Sequence, residues 1–163
     1  MKLIVTDANV LIFLSRLDLM ESFVVMDFEI HTTDYIINEY YKGAKKELNL
    51  KNLDKYVRSG KLCVHEYGYT EILAIQEQKI SLSIPDCSIY KLALDLQAIL
   101  LTGDKPLKMF SELSNIEVHG IIWLIDQMRG ADIIDHIEYK EKLKELKGLS
   151  SRLPVDEIDR RLK

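Results

Sequence analysis

Four carboxylic acids in this chain stand where the side chains of an active site are commonly found. Asp7 and Asp104 each follow directly after a short apolar run, whereas Glu39 and Asp86 lie on segments with helical spacing. Two carboxylates about 4 Å apart repel by ~4 kcal/mol at an effective dielectric constant of about 20. They therefore converge only when some are protonated or when cations bind between them. Hard divalent cations such as Mg²⁺ take oxygen ligands and substrate phosphate, which suits metal-assisted hydrolysis of phosphodiester bonds.

The elements around Asp7 and Asp104 predict that these two side chains meet. Residues 3–5 and 98–101 are short, continuously apolar runs, which are typical of strands buried on both faces of a parallel sheet. If the two strands are neighbours, the aspartates face each other across the crevice where open α/β sheets bind ligands. The alternative for Asp7 is a local role as the N-cap of the following helix.

Asp86 and Glu39 also have both a local and a functional interpretation. Ser83 and Asp86 resemble a capping box, and Pro85 suits the first turn of a helix. A carboxylate at this position can cap the helix and also serve a site, because the helix N-terminus favours negative charge. For Glu39, the alternative to a site residue is an ordinary solvent-exposed position on its helix.

The alternation of helical patterns with short apolar runs predicts an α/β fold, with a short parallel sheet between two layers of helices. Strands are predicted at residues 3–5, 28–31, 62–64, 98–101 and 116–118. Helices are predicted at residues 18–25, 35–42, 70–78 and 121–128, after Asp7 and Ser83, and through the basic segment to about Arg58. Thr32, Thr33 and Asp34 are predicted to cap the helix that carries Glu39.

Composition is typical of a single soluble domain of 163 residues, with 47% hydrophobic and 29% charged residues. No apolar run approaches the ~18 residues of a membrane span, and the N-terminus does not resemble a signal peptide. We therefore expect a cytoplasmic protein without a membrane partner. Cys63 and Cys87 have no zinc-site spacing and are predicted to be free thiols.

The C-terminal part differs in character from the rest of the chain. Residues 1–130 are predicted to form the α/β domain, and residues 131–163 a helical appendage that packs on it or on a second copy of the chain. The apolar residues available for this packing are Ile133, Ile134, Ile137, Leu143 and Leu146. The alternative is that Arg152, Arg160 and Arg161 contact RNA or an acidic partner.

Charge is unevenly distributed along the chain. Residues 42–61 contain seven basic and two acidic residues, whereas the whole chain has a net charge of −4. One basic stretch in an acidic protein is compatible with a contact to a phosphate backbone. The alternative is a solvated helix surface. Lys105 has a similar pair of interpretations, as a phosphate contact or an ion-pair partner.

Three further residues have weaker claims to a site. His119 follows the predicted fifth strand and is a candidate for the crevice, either as a base or as a hydrogen-bonded surface group. Trp123 is predicted to pack in the core. Asp126 is not included among the site residues because it lies within an apolar helix.

In the order and spacing of its motifs, residues 1–130 resemble the PIN-domain nucleases, and within them the toxin-like VapC-type ribonucleases of prokaryotes. The matching motifs are Thr6-Asp7-Ala8-Asn9-Val10-Leu11-Ile12, Glu39 within Thr33-Asp34-Tyr35-Ile36-Ile37-Asn38-Glu39, Asp86 followed by Lys91-Leu92-Ala93, and Leu101-Thr102-Gly103-Asp104-Lys105-Pro106-Leu107.

The resemblance implies a sheet ordered 3-2-1-4-5 and RNA cleavage that leaves a 5′-phosphate. It implies Mg²⁺ or Mn²⁺ bound by the catalytic acids, with polar support from two other residues; the acids are Asp7, Glu39, Asp86 and Asp104, and the supporting residues are Asn9 and Thr102. It also implies a small antitoxin protein in the active-site groove, and a homodimer is a further expected assembly.

Four functions compete at this point. The leading one is an endoribonuclease that is the toxin of a type II toxin–antitoxin pair, and the second is an RNA-processing PIN nuclease without an antitoxin. The third is a catalytically silent module that binds RNA or protein, which four acidic matches count against. The fourth is a nucleotide-binding domain, which lacks both the GxGxxG and the GxxxxGK[ST] pattern.

Overall fold

The computed structural model describes residues 1–44, 50–79 and 81–163, and in these parts the chain forms one five-stranded parallel sheet. The strand order is β3-β2-β1-β4-β5, which confirms the predicted α/β fold and its order. The strands are β1 (Lys2–Thr6), β2 (Phe28–Thr33), β3 (Leu62–His65), β4 (Ile99–Leu101) and β5 (Val118–His119).

The central strands are buried on both faces, which explains their continuous apolar sequence. Ile4, Val5, Leu100 and Leu101 are fully buried. β1 pairs with β4 in the register Thr6↔Leu101, so the two strands end side by side. The predicted neighbour relation between the first and fourth strands is therefore confirmed.

Ten helices occur in the described residues, and they surround this sheet. They are α1 (Ala8–Arg16), α2 (Met20–Val24), α3 (Asp34–Ala44), α4 (Asp54–Arg58), α5 (Tyr69–Gln78), α6 (Ile84–Leu96), α7 (Lys105–Leu113), α8 (Ile121–Gly130), α9 (His136–Lys147) and α10 (Val155–Leu162). α6 packs across β1, β2 and β4, and α3 packs against both α1 and α6. Among the described residues, none of the helices has the length and apolar character needed to cross a membrane.

Several predicted boundaries are wrong. Thr32 and Thr33 belong to β2 instead of standing outside the sheet as caps, although the Thr33 hydroxyl still accepts a hydrogen bond from the Ile36 backbone N–H at 3.3 Å. The fifth strand lies at Val118–His119, because the ladder with β4 forms there rather than at residues 116–118. No helix was predicted where α7 lies. In the described part of the basic segment, the end of α3 up to Ala44 and α4 are helical, and residues 45–49 lie outside the described residues.

The C-terminal helices pack onto the rest of the molecule through a buried apolar face. Ile134, Leu143, Leu146 and Ile158 are all 2% exposed or less. α9 contacts both α8 and α10. Ile137 was expected to pack but is 70% exposed, because it lies on the outer side of α9. The boundary at residue 130 stays a prediction.

An ionic contact joins the last helix to α8. The guanidinium of Arg161 donates to both carboxylate oxygens of Asp126, with Nε 3.0 Å from each oxygen and Nη2 2.8 Å from Oδ2. The hydroxyl of Tyr139 also donates to Asp126 Oδ1, at 2.6 Å. Asp126 and Arg161 thus have a structural role here.

Candidate active site

Asp7 directly follows β1, and its carboxylate accepts hydrogen bonds from α1 and from the residue that follows β4. Its Oδ1 accepts the Val10 backbone N–H at 2.8 Å, so Asp7 is the N-cap of α1 as one interpretation predicted. Its Oδ2 accepts the hydroxyl of Thr102, at the end of β4, at 2.5 Å. Asp7 is only 4% exposed, and a helix cap needs no such burial or cross-strand contact.

Asp104 lies beside Asp7, two residues beyond Thr102. The Thr102 hydroxyl oxygen accepts the Asp104 backbone N–H at 3.1 Å, so one buried hydroxyl connects the two aspartates. Asp104 also caps α7, accepting the Leu107 N–H at 2.9 Å. Both predicted strand-end aspartates therefore combine a capping role with a position at the same edge of the sheet.

Asp86 and Glu39 approach from two helices that pack together. Asp86 lies in the first turn of α6, where Ser83 caps the helix by accepting the Asp86 backbone N–H at 3.2 Å. Two residues on, the Ser88 hydroxyl lies 2.7 Å from that of Thr33, which fastens the start of α6 to the end of β2. Glu39 lies on α3, the helix that follows β2 and contacts α6.

Charge repulsion connects the four carboxylates in pairs, with Asp86 acting on Asp7 and Glu39, Glu39 acting on Asp7, and Asp104 acting on Asp86. Burial raises the pKa of Asp7 to about 7, with added repulsion from Asp86 and Glu39, although hydrogen bonds from Thr102 and Val10 oppose the rise. Because this pKa is near neutrality, keeping the Asp7 carboxylate ionised in the folded chain costs free energy.

Repulsion between carboxylates also contributes to raised pKa values of Glu39 on α3 and Asp86 on α6. Although Glu39 is exposed as a residue, partial removal of its carboxyl group from water raises its pKa, and the charge of Asp86 adds to the effect. Burial likewise raises the pKa of Asp86, with a contribution from the charge of Asp104. Because these charge effects connect all four predicted acids, we treat Asp7, Glu39, Asp86 and Asp104 as one cluster and call it the acidic crevice.

Two supporting residues were predicted, and the structure places them differently. Thr102 is buried and contacts both Asp7 and Asp104. Asn9 is exposed in the first turn of α1, on the solvent side of the crevice mouth. Lys105 is exposed at the start of α7, next to Asp104.

The basic segment is partly neutralised where it is described. Lys51 Nζ lies 2.6 Å from an oxygen of Asp18, and Lys55 Nζ lies 2.5 Å from an oxygen of Glu21. Lys42 on α3 acts electrostatically on Glu39, so the segment does begin beside the acidic crevice. The expected role of residues 42–61 in binding RNA stays a prediction, and Lys45 and Lys46 lie outside the described residues.

The donor set fits a hard divalent cation with an incomplete protein shell. Among the described residues, no three acidic, histidine or cysteine side chains are arranged to bind a single ion together. Mg²⁺ commonly takes only one or two carboxylates and completes its shell with water and substrate phosphate. Four carboxylates with mutual repulsion supply such oxygens, and a bound cation would relieve that repulsion.

Two side-chain contacts near the sheet were not predicted from the sequence. His31 Nδ1 lies 2.8 Å from His65 Nε2, and His31 Nε2 lies 2.8 Å from an oxygen of Glu29. His119 stacks on Trp123 with ring centroids 4.1 Å apart, so Trp123 is only partly buried. The histidine contact joins residues 34 positions apart on neighbouring strands, and the strand register is the signal that would have found it.

Two surface cavities, of about 440 and 500 Å³, lie elsewhere on the molecule. One is lined by residues that include Gln97 and Asn115, and the other by residues that include Asp27 and Gly130. Neither is lined by any of the four carboxylates. Both cavities lie near the amino ends of the strands, whereas the acidic crevice lies at the carboxyl ends of β1 and β4.

Comparison with known proteins agrees with the fold. The chain matches the DUF3368 family, described as a PIN domain, over residues 3–163. PAE2754 from Pyrobaculum aerophilum is similar in structure with a TM-score of 0.57 and 17% identity, covering 79% of this chain and 96% of that chain. A PilT N-terminus domain protein, SSO1118, from Sulfolobus solfataricus P2 gives 0.54 and 13%, covering 82% and 96%. No curated protein matches the sequence.

The family match covers almost the whole chain, including the C-terminal helices. PIN domains are generally nucleases and typically depend on a divalent metal, and the strand-end aspartates lie where such a fold binds its ligands. The predicted resemblance is confirmed at this level, and the chain belongs to the PIN-domain family.

Proposed function

We propose that this protein is a metal-dependent endoribonuclease that hydrolyses phosphodiester bonds in RNA. The observation that supports this most strongly is the acidic crevice, in which burial and mutual repulsion raise the pKa values of Asp7, Glu39 and Asp86. Such an arrangement disfavours the folded, ionised protein. A cation that binds the carboxylates relieves this cost, and ionisable groups with perturbed pKa values are typical of functional sites.

The four acids would hold Mg²⁺ or Mn²⁺. Such an ion supplies an activated water and stabilises the attacking and leaving oxygens of the phosphodiester. The protein's own contribution is positional. The Thr102 hydroxyl donates to Asp7 Oδ2 and accepts from the Asp104 N–H, so it fixes the relative orientation of the two aspartates. Asn9, exposed at the mouth, is available for a phosphate oxygen or water.

Two features support RNA as the substrate. Lys42 on α3 acts electrostatically on Glu39, and Lys105 directly follows Asp104 at the start of α7, so both cations lie beside crevice carboxylates. Lys51 and Lys55 form ion pairs with Asp18 and Glu21. We therefore assign the proposed phosphate contacts of the basic segment to its other basic residues. Each phosphate contact adds affinity that weakens with salt.

The finer proposal is that the enzyme is the toxin of a type II toxin–antitoxin pair. Its support is the resemblance of the motifs around Asp7 and Asp104 to VapC-type ribonucleases. A small antitoxin would bind over the acidic crevice, and a homodimer is the proposed assembly. Expression of the chain alone should arrest bacterial growth, and co-expression of a small protein encoded beside it should restore growth. Growth unaffected by the chain alone would favour RNA processing without an antitoxin.

The direct test is cleavage of a panel of structured RNAs with Mg²⁺ or Mn²⁺. The wild type should produce fragments with 5′-phosphates, EDTA should stop the reaction, and Asp104→Asn should slow it by about 100-fold or more. Asp27→Asn is the matched control, because Asp27 precedes β2 at the opposite end of the sheet. RNA binding without cleavage in any metal would instead indicate a catalytically silent module.

A further inference from the structure

The ammonium group of Lys79 lies near two aromatic rings on helices that also carry crevice acids. The Nζ atom of Lys79 lies 4.8 Å from the ring centroid of Phe110 on α7 and 5.5 Å from that of Tyr90 on α6. Lys79 itself directly follows the last residue of α5. Three helices therefore define the position of this one ammonium group, and the side chain is half-buried.

The two helices that supply these rings also carry crevice acids at their N-terminal ends. Tyr90 lies four residues after Asp86 on α6, which is about 6 Å along the helix axis. Phe110 lies on α7, the helix capped by Asp104. Burial raises the pKa of Cys87 to about 11 with a contribution from Asp86, and the charge of Lys79 opposes that rise. Lys79 is thus close to the α6 turn that bears Asp86.

Lys79 differs in its surroundings from Lys51, Lys55 and Lys91. Within the residues that the structure describes, no carboxylate lies at ion-pair distance from its Nζ, whereas Lys51, Lys55 and Lys91 all pair with carboxylates. An aromatic face attracts a cation but carries no net charge. The rings therefore position the ammonium group and leave its charge available to an anion.

We propose that Lys79 binds a backbone phosphate of RNA adjacent to the phosphodiester being cleaved; this inference rests on the proposed ribonuclease function. Four carboxylates at the crevice repel a polyanion, so a substrate needs cations close to them. Lys79 provides one on the α6–α7 side in a position fixed before binding. The competing role is purely structural, with Lys79 fastening the end of α5 to α6 and α7.

A charge-removing variant that keeps the packing separates these roles. Lys79→Met retains an unbranched apolar chain against Tyr90 and Phe110 but has no ammonium group. Lys144→Met, on an exposed position of α9, changes the net charge equally and is the control. Binding of single-stranded RNA is measured by fluorescence anisotropy in EDTA, where the proposed reaction does not proceed, over about 0.05 to 0.3 M salt.

Loss of one phosphate contact should reduce the slope of log K against log salt by about 0.7. At about 0.1 M salt this corresponds to about fivefold weaker binding by Lys79→Met. Lys144→Met should bind as the wild type does, and Lys79→Arg should retain most of the slope because it keeps the charge.

Two results would overturn the proposal, and they have different meanings. If the wild type binds RNA and Lys79→Met has the same salt slope, Lys79 only fastens the helices, whatever its effect on melting temperature. If the wild type neither binds RNA in EDTA nor cleaves it with Mn²⁺, the ribonuclease function fails as well.

Discussion

Replacing Asp7 by asparagine should make the metal-free protein more stable at high pH. The carboxyl of Asp7 has a pKa of about 7 in the folded chain and an ordinary value near 3.8 when exposed. Between these values the folded chain keeps a proton that the unfolded chain has released. The free energy of unfolding therefore falls as pH rises from about 4 to about 7, and the loss is complete above pH 7.

The size of this effect follows from the shift. About three pH units at 1.36 kcal/mol each give a loss of about 4 kcal/mol for the wild type, and the group is buried, so solvent screening is small. Asp7→Asn does not ionise and should escape it. Because the amide must rearrange its bond with Thr102, the net gain should be smaller, about 2 to 3 kcal/mol at pH 8.

Urea unfolding in EDTA at several pH values between about 4.5 and 8 measures the effect. The wild type and Asp7→Asn should have similar stability at the acidic end and diverge above neutrality. Asp27→Asn is the control, because its side chain is 84% exposed and should leave the profile unchanged. If Asp7→Asn is less stable than the wild type at pH 8, with a parallel pH profile, the reasoning about the acidic crevice is refuted.

Three further predictions concern the neighbours of the crevice and the C-terminus. Thr102→Val removes one partner from each of Asp7 and Asp104 and should cost about 1 to 3 kcal/mol of unfolding free energy at pH 8, whereas Thr102→Ser should restore most of it; equal urea midpoints for both would contradict this. Burial and the nearby His31 lower the pKa of His65, so the contribution of His65 to stability should fall as pH drops below about 6.5, opposite in sign to that of Asp7; in thermal melts His65→Gln should gain melting temperature relative to the wild type as pH falls through this range, and a constant difference between the two would count against it. Truncation after Gly130 removes Arg161 and the buried face of α9, so it should lower the melting temperature while RNA cleavage persists; a folded truncated protein that no longer binds RNA would disprove the structural role of residues 131–163.

The strands and the acids at their ends were predictable because they depend on short-range patterns, whereas the order that places β1 beside β4 was predicted from the resemblance to PIN domains. The apolar runs before Asp7 and Asp104 identify buried parallel strands, and few chain topologies satisfy the connection rules of such a sheet. The caps formed by Asp7 and Ser83 were also predictable, since capping depends on residues three positions apart.

The remaining features depend on contacts that residue spacing does not encode. β5 has only two residues, so its position is set by pairing with β4 and not by its own apolar pattern. The His31–His65 contact requires the register of β2 against β3, and the Asp126–Arg161 pair requires the packing of α10. Ile137 is exposed because α9 buries only the face that carries Leu143 and Leu146.

The role of Thr102 also became specific only in the fold. Its hydroxyl could have satisfied local backbone groups alone. In the structure it accepts the nearby Asp104 N–H and also donates across the sheet to Asp7, 95 positions earlier in the chain. The residue was therefore identifiable from sequence, but the reason for its place in the site was not.

We propose above that the four carboxylates form one metal-dependent catalytic site. The most direct test of this proposal is the Mn²⁺ concentration dependence of single-turnover RNA cleavage by wild type, Asp104→Asn and Asp27→Asn. We predict that Asp104→Asn raises the half-saturating Mn²⁺ concentration by about tenfold or more and lowers the maximal rate, whereas Asp27→Asn matches the wild type. Cleavage by Asp104→Asn with the wild-type rate and metal dependence would contradict the proposal.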